Sequence, residues 1–125
     1  IVGPDRPKGK HDNHSNKAFA TEGNHFRNWT REKKLDNLFV CCGDRHWQYF
    51  SIDPATGLRE FSCGPASDEH AGGTPGQNPK IQPFHRVKGG FLSVSVTRPG
   101  GTPTISFRHH SVRGEVVNEY TRRGR

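Results

Sequence analysis

The chain has 125 residues, enough for one small domain, but only 29% of them are hydrophobic, so we expect part of a core to be missing. Its net charge of +7 is compatible with anionic partners such as phosphates or nucleic acid, although a solvated basic surface explains it equally well. No apolar stretch approaches the roughly 20 residues that span a bilayer, and the three cysteines exclude a disulfide framework and a CxxC zinc pair.

The first predicted element is a helix. Residues 1–13 form a predicted N-terminal loop, and a helical pattern runs from Ser15 to Lys34. Asn13 or Ser15 is a candidate for the helix N-cap. The helix carries one apolar stripe made by three aromatic residues at helical spacing, Phe19, Phe26 and Trp29.

Three strands are predicted next. Leu38 to Cys42 is continuously apolar and closes on a glycine, the pattern of a short strand buried on both faces. His46–Ile52 and Leu58–Ser62 flank the turn sequence of residues 53–57 and predict a hairpin. Residues 64–82 form a long polar loop, and loops of that length are usually functional or mobile.

The last third of the chain predicts an antiparallel meander. Residues 91–97 alternate between apolar and polar, residues 98–101 turn the chain, and residues 104–109 alternate again. A third segment follows at residues 115–120. The predicted order is therefore one helix, one buried strand and then antiparallel strands, an α/β unit that leans towards β.

The stretch Gly43-Asp44-Arg45-His46 follows the predicted buried strand. Ligands of α/β proteins collect at the carboxyl ends of such strands, and residues two apart point the same way in an extended segment. A carboxylate and an imidazole together suit Zn, Fe or Mn. The motif is short, however, and a strand end with a capping Asp44 and a solvent-facing His46 explains it more simply. The chain has eight histidines, and five of them are rival ligands, most of which are predicted to be ordinary surface residues: His11, His14, His70, His109 and His110.

Three segments together carry a family resemblance. IVGPDRPKGKHDNHSNKAF, CCGDRHWQYFSIDPATGLREFSCGPASDEHAGG and FRHH resemble the C-terminal part of PhoD-like alkaline phosphatases, which are metallophosphoesterases. The likeness implies that residues 1–125 are an incomplete domain, the C-terminal portion of a β-sandwich flanked by helices. It also implies hydrolysis of phosphate monoesters or diesters by a metal-activated water.

The resemblance also implies site residues. Asp44 and His46 match the family's last metal-binding motif, in which GHxH is more common and an aspartate at the first position resembles the PhoD branch. The implied metals are divalent or trivalent ions: iron, calcium or zinc. Five further residues are implied at the active-site rim, with a helix-start role equally open for Asn13: Asp12, Asn13, His14, Asp68 and His70. Family members are commonly exported, which implies a periplasmic or extracellular location.

The remaining metal-binding motifs of such an enzyme are missing before residue 43. The resemblance therefore implies two partners, a phosphate ester substrate and the missing N-terminal part of the same domain. We expect the chain alone to be catalytically inert or nearly so. A start at Ile1 and the lack of methionine fit the same expectation of a processed product or a piece of a longer protein.

The alternative hypothesis is a small basic β-rich module that binds nucleic acid or another polyanion. Trp47, Tyr49 and Phe50 are its candidate stacking surfaces. The lysines and arginines do not cluster with these aromatic residues, because they spread over residues 5–10, 27–34 and the C-terminal tail. Under the phosphoesterase hypothesis, nucleic acid is expected only as a possible substrate.

Overall fold

The computed structural model describes residues 17–124, which form one α-helix and two β-sheets. Helix α1 (Ala20–Glu32) follows a 3₁₀ turn at Lys17–Phe19. The strands are β1 (Phe39–Cys42), β2 (Gln48–Ile52), β3 (Arg59–Cys63), β4 (Phe84–Arg86), β5 (Gly90–Thr97), β6 (Thr104–Ser111) and β7 (Val116–Arg123). The predicted α/β class is confirmed.

Helix α1 lies where it was predicted, but its aromatic stripe is not buried. Phe19 and Trp29 are 39% and 40% exposed, whereas Gly23 and Thr30 are buried. Phe19 occupies the N-cap position and makes no capping hydrogen bond with its side chain. The candidate caps Asn13 and Ser15 lie outside the described residues. The stripe is therefore an exposed aromatic surface of the described fold.

The first sheet has the strand order β1-β3-β2-β4. The predicted hairpin is confirmed, because β2 and β3 pair antiparallel and the Gly57 N–H donates to the Asp53 carbonyl oxygen over 2.8 Å. β1 pairs with β3 in parallel and is an edge strand of the described part of the chain. The prediction that β1 is buried on both faces is wrong, since Cys41 is exposed. Its apolar run lies at an edge because the hairpin strand β3 takes the interior position.

Strand β4 was not predicted. It has only three residues, Phe84–Arg86, which pair antiparallel with β2. So short a segment, placed directly after Pro83 and the long polar loop, shows no alternation that could be read as a strand.

The second sheet is the predicted meander, with the strand order β5-β6-β7 and antiparallel pairing throughout. One of its faces is polar, as predicted: Ser95 lies opposite Ser106, and the Ser106 and Thr121 hydroxyl groups are 2.8 Å apart. The other face points towards the first sheet and carries Leu92, Phe107 and Tyr120.

A stack of three phenyl rings joins the two sheets. The Phe61 ring of β3 lies parallel to the Phe50 ring at 4.6 Å between centroids, and parallel to the Phe107 ring of β6 at 4.1 Å. All three rings are buried. Six partly buried side chains surround them: Phe39, Ile52, Phe84, Leu92, Ile105 and Tyr120. The core is therefore small and aromatic, as a chain with few hydrophobic residues requires.

His109 is a buried residue of this core and is therefore an exception to the expectation that most of the rival histidines lie at the surface. Its Nε2 lies 3.0 Å from the Ser62 carbonyl oxygen, and its Nδ1 lies 3.2 Å from the Asn118 side-chain nitrogen. A neutral imidazole satisfies both contacts, because Nε2–H donates to the carbonyl and Nδ1 accepts from the amide. Burial lowers the pKa of His109 to about 4. Alternation along β6 places His109 on the same face as Phe107.

We predict that the stability of the fold falls as His109 is protonated. The pKa of His109 is lower in the folded state than its ordinary value of 6.5, so the unfolded chain binds this proton more readily. The stabilisation is complete above pH 6.5 and is lost as the pH falls towards 4, a change of roughly 3 kcal/mol. Urea unfolding at several pH values measures it.

His109→Gln should remove most of this pH dependence, and the matched change in the exposed helix residue, His25→Gln, should leave it unchanged. Should His109→Gln fail to fold, the ring ¹⁵N shifts of the natural chain give the pKa of His109 directly. An ordinary histidine pKa at this position would contradict the prediction.

Candidate metal site

Two loops meet at the end of the first sheet where strands β1 and β3 finish. Because β1 and β3 run parallel with Cys42 opposite Ser62, the loops that follow them begin at the same edge. The Gly72 N–H donates to the His46 carbonyl oxygen over 2.9 Å and joins the loops. The fold therefore brings the predicted ligands Asp44 and His46 onto a loop that adjoins the loop of Asp68 and His70. The other predicted rim residues, Asp12, Asn13 and His14, lie outside the described residues.

Asp44 and His46 are both exposed, but the segment between them is not extended. Asp44 has a φ of 64°, in the left-handed region. The expectation that the two side chains point the same way because they are two residues apart on a strand is therefore wrong. Neither side chain makes a hydrogen bond to another described residue, so both keep their polar atoms available for a ligand.

Trp47 anchors the loop behind these two residues. The Trp47 side chain is buried, and its carbonyl oxygen accepts a hydrogen bond of 3.1 Å from the Ser62 hydroxyl group of β3. The Arg45 guanidinium lies 5.4 Å from the centroid of the Trp47 ring, a cation–π contact. Arg45 therefore contacts the tryptophan ring.

The proposed stacking surface for nucleic acid is not available. Trp47, Tyr49 and Phe50 are all buried, so none of them offers a ring face to a base. The binding-module hypothesis loses its aromatic surface in consequence, and only the positive charge still favours it.

Asp68 and His70 differ in how far the fold uses them. The Asp68 carboxylate accepts a hydrogen bond of 2.7 Å from the Gly89 N–H, directly before β5. Gly89 is required there, since a Cβ atom would lie 2.3 Å from the Ser67 carbonyl carbon. Asp68 therefore holds the rim loop to the second sheet. His70 is exposed, and its Nδ1 lies 2.8 Å from the Ser67 hydroxyl group, which leaves Nε2 towards solvent.

A buried polar group lies behind the site on the outer face of the first sheet, and the sequence analysis missed it. The Tyr49 hydroxyl donates to the Glu60 carboxylate over 2.7 Å, and the Cys42 sulfur lies 3.4 Å from the same hydroxyl. Burial, followed by the Glu60 charge, raises the pKa of Tyr49 and raises the pKa of the Cys42 thiol to about 11. Both groups are therefore protonated at neutral pH, and Cys42 is not an activated nucleophile. Polar residues at alternate positions of β2 and β3 were the signal for this group.

The donor chemistry of Asp44 and His46 fits a metal ion, but the number of ligands is small. A carboxylate oxygen and an imidazole nitrogen are ligands that zinc, iron and manganese accept. Among residues 17–124, no group of three or more His, Cys, Asp or Glu side chains is placed to hold an ion. A complete site would therefore need ligands from elsewhere.

No helix in the described part of the chain is long and apolar enough to cross a membrane.

Comparisons with protein-family models, with curated proteins and with solved structures gave no match to this chain. The resemblance to PhoD-like phosphatases therefore stays a prediction that depends on the sequence motifs alone.

We predict that the Asp44 carboxylate does not stabilise the fold. Glycine adopts a positive φ without strain, so Asp44→Gly should change the free energy of unfolding by less than about 0.5 kcal/mol. Asp44→Ala should lower it by about 1 kcal/mol, because a Cβ atom disfavours the left-handed region. Thermal unfolding followed by circular dichroism measures both changes.

The control is Asp53→Gly, since the Asp53 carboxylate accepts a hydrogen bond from Thr56 within the hairpin turn. Its loss should cost about 1 kcal/mol. A loss of stability in Asp44→Gly as large as that in the control would show that the Asp44 carboxylate has a structural role.

Proposed function

We propose that this chain contributes the metal ligands Asp44 and His46 to a metal-dependent phosphatase or phosphodiesterase. One observation carries the proposal: a carboxylate and an imidazole lie exposed on one loop at the carboxyl edge of the parallel pair β1 and β3. The nearby Asp68 carboxylate is used by the fold, since it accepts a hydrogen bond from the Gly89 N–H, whereas these two side chains have no hydrogen bond to another described residue. Polar groups that the fold leaves available are the ones that a ligand can use.

The chemistry follows from the two donor types. Asp44 would supply an anionic oxygen and His46 a neutral ring nitrogen, so metal affinity should weaken in acid. The bound ion, which we propose to be iron, calcium or zinc, supplies activation of a water molecule and neutralisation of charge on the phosphate ester. The net charge of +7 favours the approach of such an anionic substrate. His70, on the adjoining loop, is the described rim residue best placed to contact it.

Manganese tests the site directly, because it broadens the NMR signals of nearby amides even when it binds weakly. Added to the ¹⁵N-labelled chain, Mn²⁺ should broaden the amide signals of residues 43–47 and 70–72 before those of helix α1. Asp44→Asn, which tolerates the left-handed conformation, should raise the Mn²⁺ concentration needed for this broadening by roughly tenfold or more. Excess Zn²⁺ should reverse the broadening by competition.

Matched controls exist for both ligands. Glu32→Gln removes the same charge at an exposed helix position, and His25→Gln removes an exposed imidazole; neither should alter the broadening at residues 43–47. Broadening centred on another part of the chain, or unchanged in Asp44→Asn and His46→Gln, would contradict the assignment of these ligands.

We predict that the chain alone does not hydrolyse phosphate esters at a useful rate, since the described residues supply too few ligands for a complete site. p-Nitrophenyl phosphate and bis(p-nitrophenyl) phosphate, each with Zn²⁺, Ca²⁺ or Fe³⁺, provide the assay. The expected rate equals that of the metal ion without protein. Turnover that is present in the natural chain and lost in Asp44→Asn would show instead that residues 1–125 hold a complete site.

A further inference from the structure

Strand β1 has a free edge in the described part of the chain. One side of its backbone pairs with β3, and no described strand lies on its other side. An edge strand leaves every second N–H and C=O group without a protein partner and is a template for another strand. Cys41, in the middle of β1, is exposed. Among the described residues, β1 is therefore an outer strand with an exposed side chain.

The apolar face of the second sheet extends past this edge. Phe84 of β4 contacts His109 at 4.8 Å, and Phe39 of β1 contacts Phe107 at 4.9 Å between ring centroids. The first sheet therefore covers β6 between His109, which contacts β4 at one side of that sheet, and Phe107, which contacts β1 at the other side. The next inward position of β6 is Ile105, which packs against the edge of the core and is only partly buried.

Two exposed valines lie on the neighbouring strand β5. Val96 lies opposite Ile105, and Val94 lies opposite Phe107. Both point to the apolar side of the sheet, yet they are 71% and 46% exposed. A groove of about 620 Å³ lies beside Val96, and its lining includes Asp36, Phe39, Ile105, Arg122 and Arg123.

We propose that an extended segment of another polypeptide adds to β1 as a fifth strand and places apolar side chains on Val94, Val96 and Ile105. A strand there would pair with the backbone groups on the side of β1 where no described strand lies, and every second side chain would point to the second sheet. A helix would cover the valines but could not pair with the backbone of β1. The surface therefore fits an extended segment.

The charge of the groove indicates the character of that segment. Arg122 and Asp36 both line the groove and form an ion pair of 3.0 Å, so the excess of positive charge lies with Arg123, which also lines it, and with Arg98, which follows β5 at the same end of the sheet. A second copy of this chain would bring the same excess of positive charge, +7 in all, to the contact. A different polypeptide with Asp or Glu beside its apolar residues is the complementary partner. This inference does not depend on the proposed metal site.

A displayed library of random peptides of about ten residues, the upper length of ordinary strands, tests the proposal. Selection on the natural chain should enrich peptides that alternate apolar and polar residues and that carry Asp or Glu. A synthetic peptide of the enriched sequence should slow hydrogen exchange at the amides of Phe39–Cys42. Its affinity should fall by roughly tenfold or more in Val96→Asp, which introduces a charge into the apolar contact.

Val116→Asp is the matched control, because Val116 is also an exposed valine, 52% accessible, but lies opposite His110. It should bind the peptide as tightly as the natural chain. Four results would overturn the proposal: no enrichment, enriched peptides without alternation, equal binding by Val96→Asp, or unchanged exchange at β1. A dimer in sedimentation experiments that Val96→Asp dissociates would overturn it too, since the occupant would be a second copy.

Discussion

The parallel contact between the Phe61 and Phe107 rings, at 4.1 Å between centroids, is the interaction on which the rest of the structure depends. Phe61 lies on β3, which has a neighbouring strand on each side, and Phe107 lies on β6, the middle strand of the second sheet. Aromatic pairs contribute about 0.5–1.5 kcal/mol beyond the area they bury. With few hydrophobic residues in the chain, this contact and that of Phe50 determine how the two sheets face each other.

The same contact fixes what the other face of β3 presents. Side chains alternate along a strand, so a buried Phe61 places Glu60 and Ser62 on the outer face, where both are also buried. Burial of a carboxylate is costly unless hydrogen bonds compensate, and the Tyr49 hydroxyl group provides one. Ser62 in turn binds the Trp47 carbonyl and so holds the end of the candidate metal loop. The position of the loop thus follows from the register of β3.

Local signals in the sequence were sufficient for the elements that depend on neighbours along the chain. The turn from Asp53 to Gly57 identifies the hairpin, and alternation identifies β5 and β6, because both patterns are set within a few residues. Alternation would also have separated His109, which shares a face with Phe107, from His110, which stacks on the exposed Phe91. The alternation of β6 therefore predicts a buried His109 and a more exposed His110.

Other features depend on contacts between distant residues and could not be predicted. The apolar run of β1 is equally suited to an interior or an edge strand, and its place is decided by parallel pairing with β3, about 20 residues further on. The left-handed conformation of Asp44 has no sequence signature, because aspartate adopts it only occasionally. The predicted extended geometry of Asp44 and His46 was therefore wrong, and their role as metal ligands stays a proposal.

The free edge of β1 and the candidate metal loop belong to one strand, and this links the two proposals. The loop that contains Asp44 and His46 begins at the carboxyl end of β1, beside the loop that follows β3. A fifth strand that ran parallel to β1 would have its carboxyl end beside the carboxyl ends of β1 and β3. The loop after that strand would therefore be the third loop at this end of the sheet. Carboxyl ends of parallel strands collect side chains from separate parts of a sequence in this way. A polypeptide that added to β1 as proposed would thus also be well placed to supply further ligands to the proposed metal site, since residues 17–124 hold no group of three or more candidate ligands.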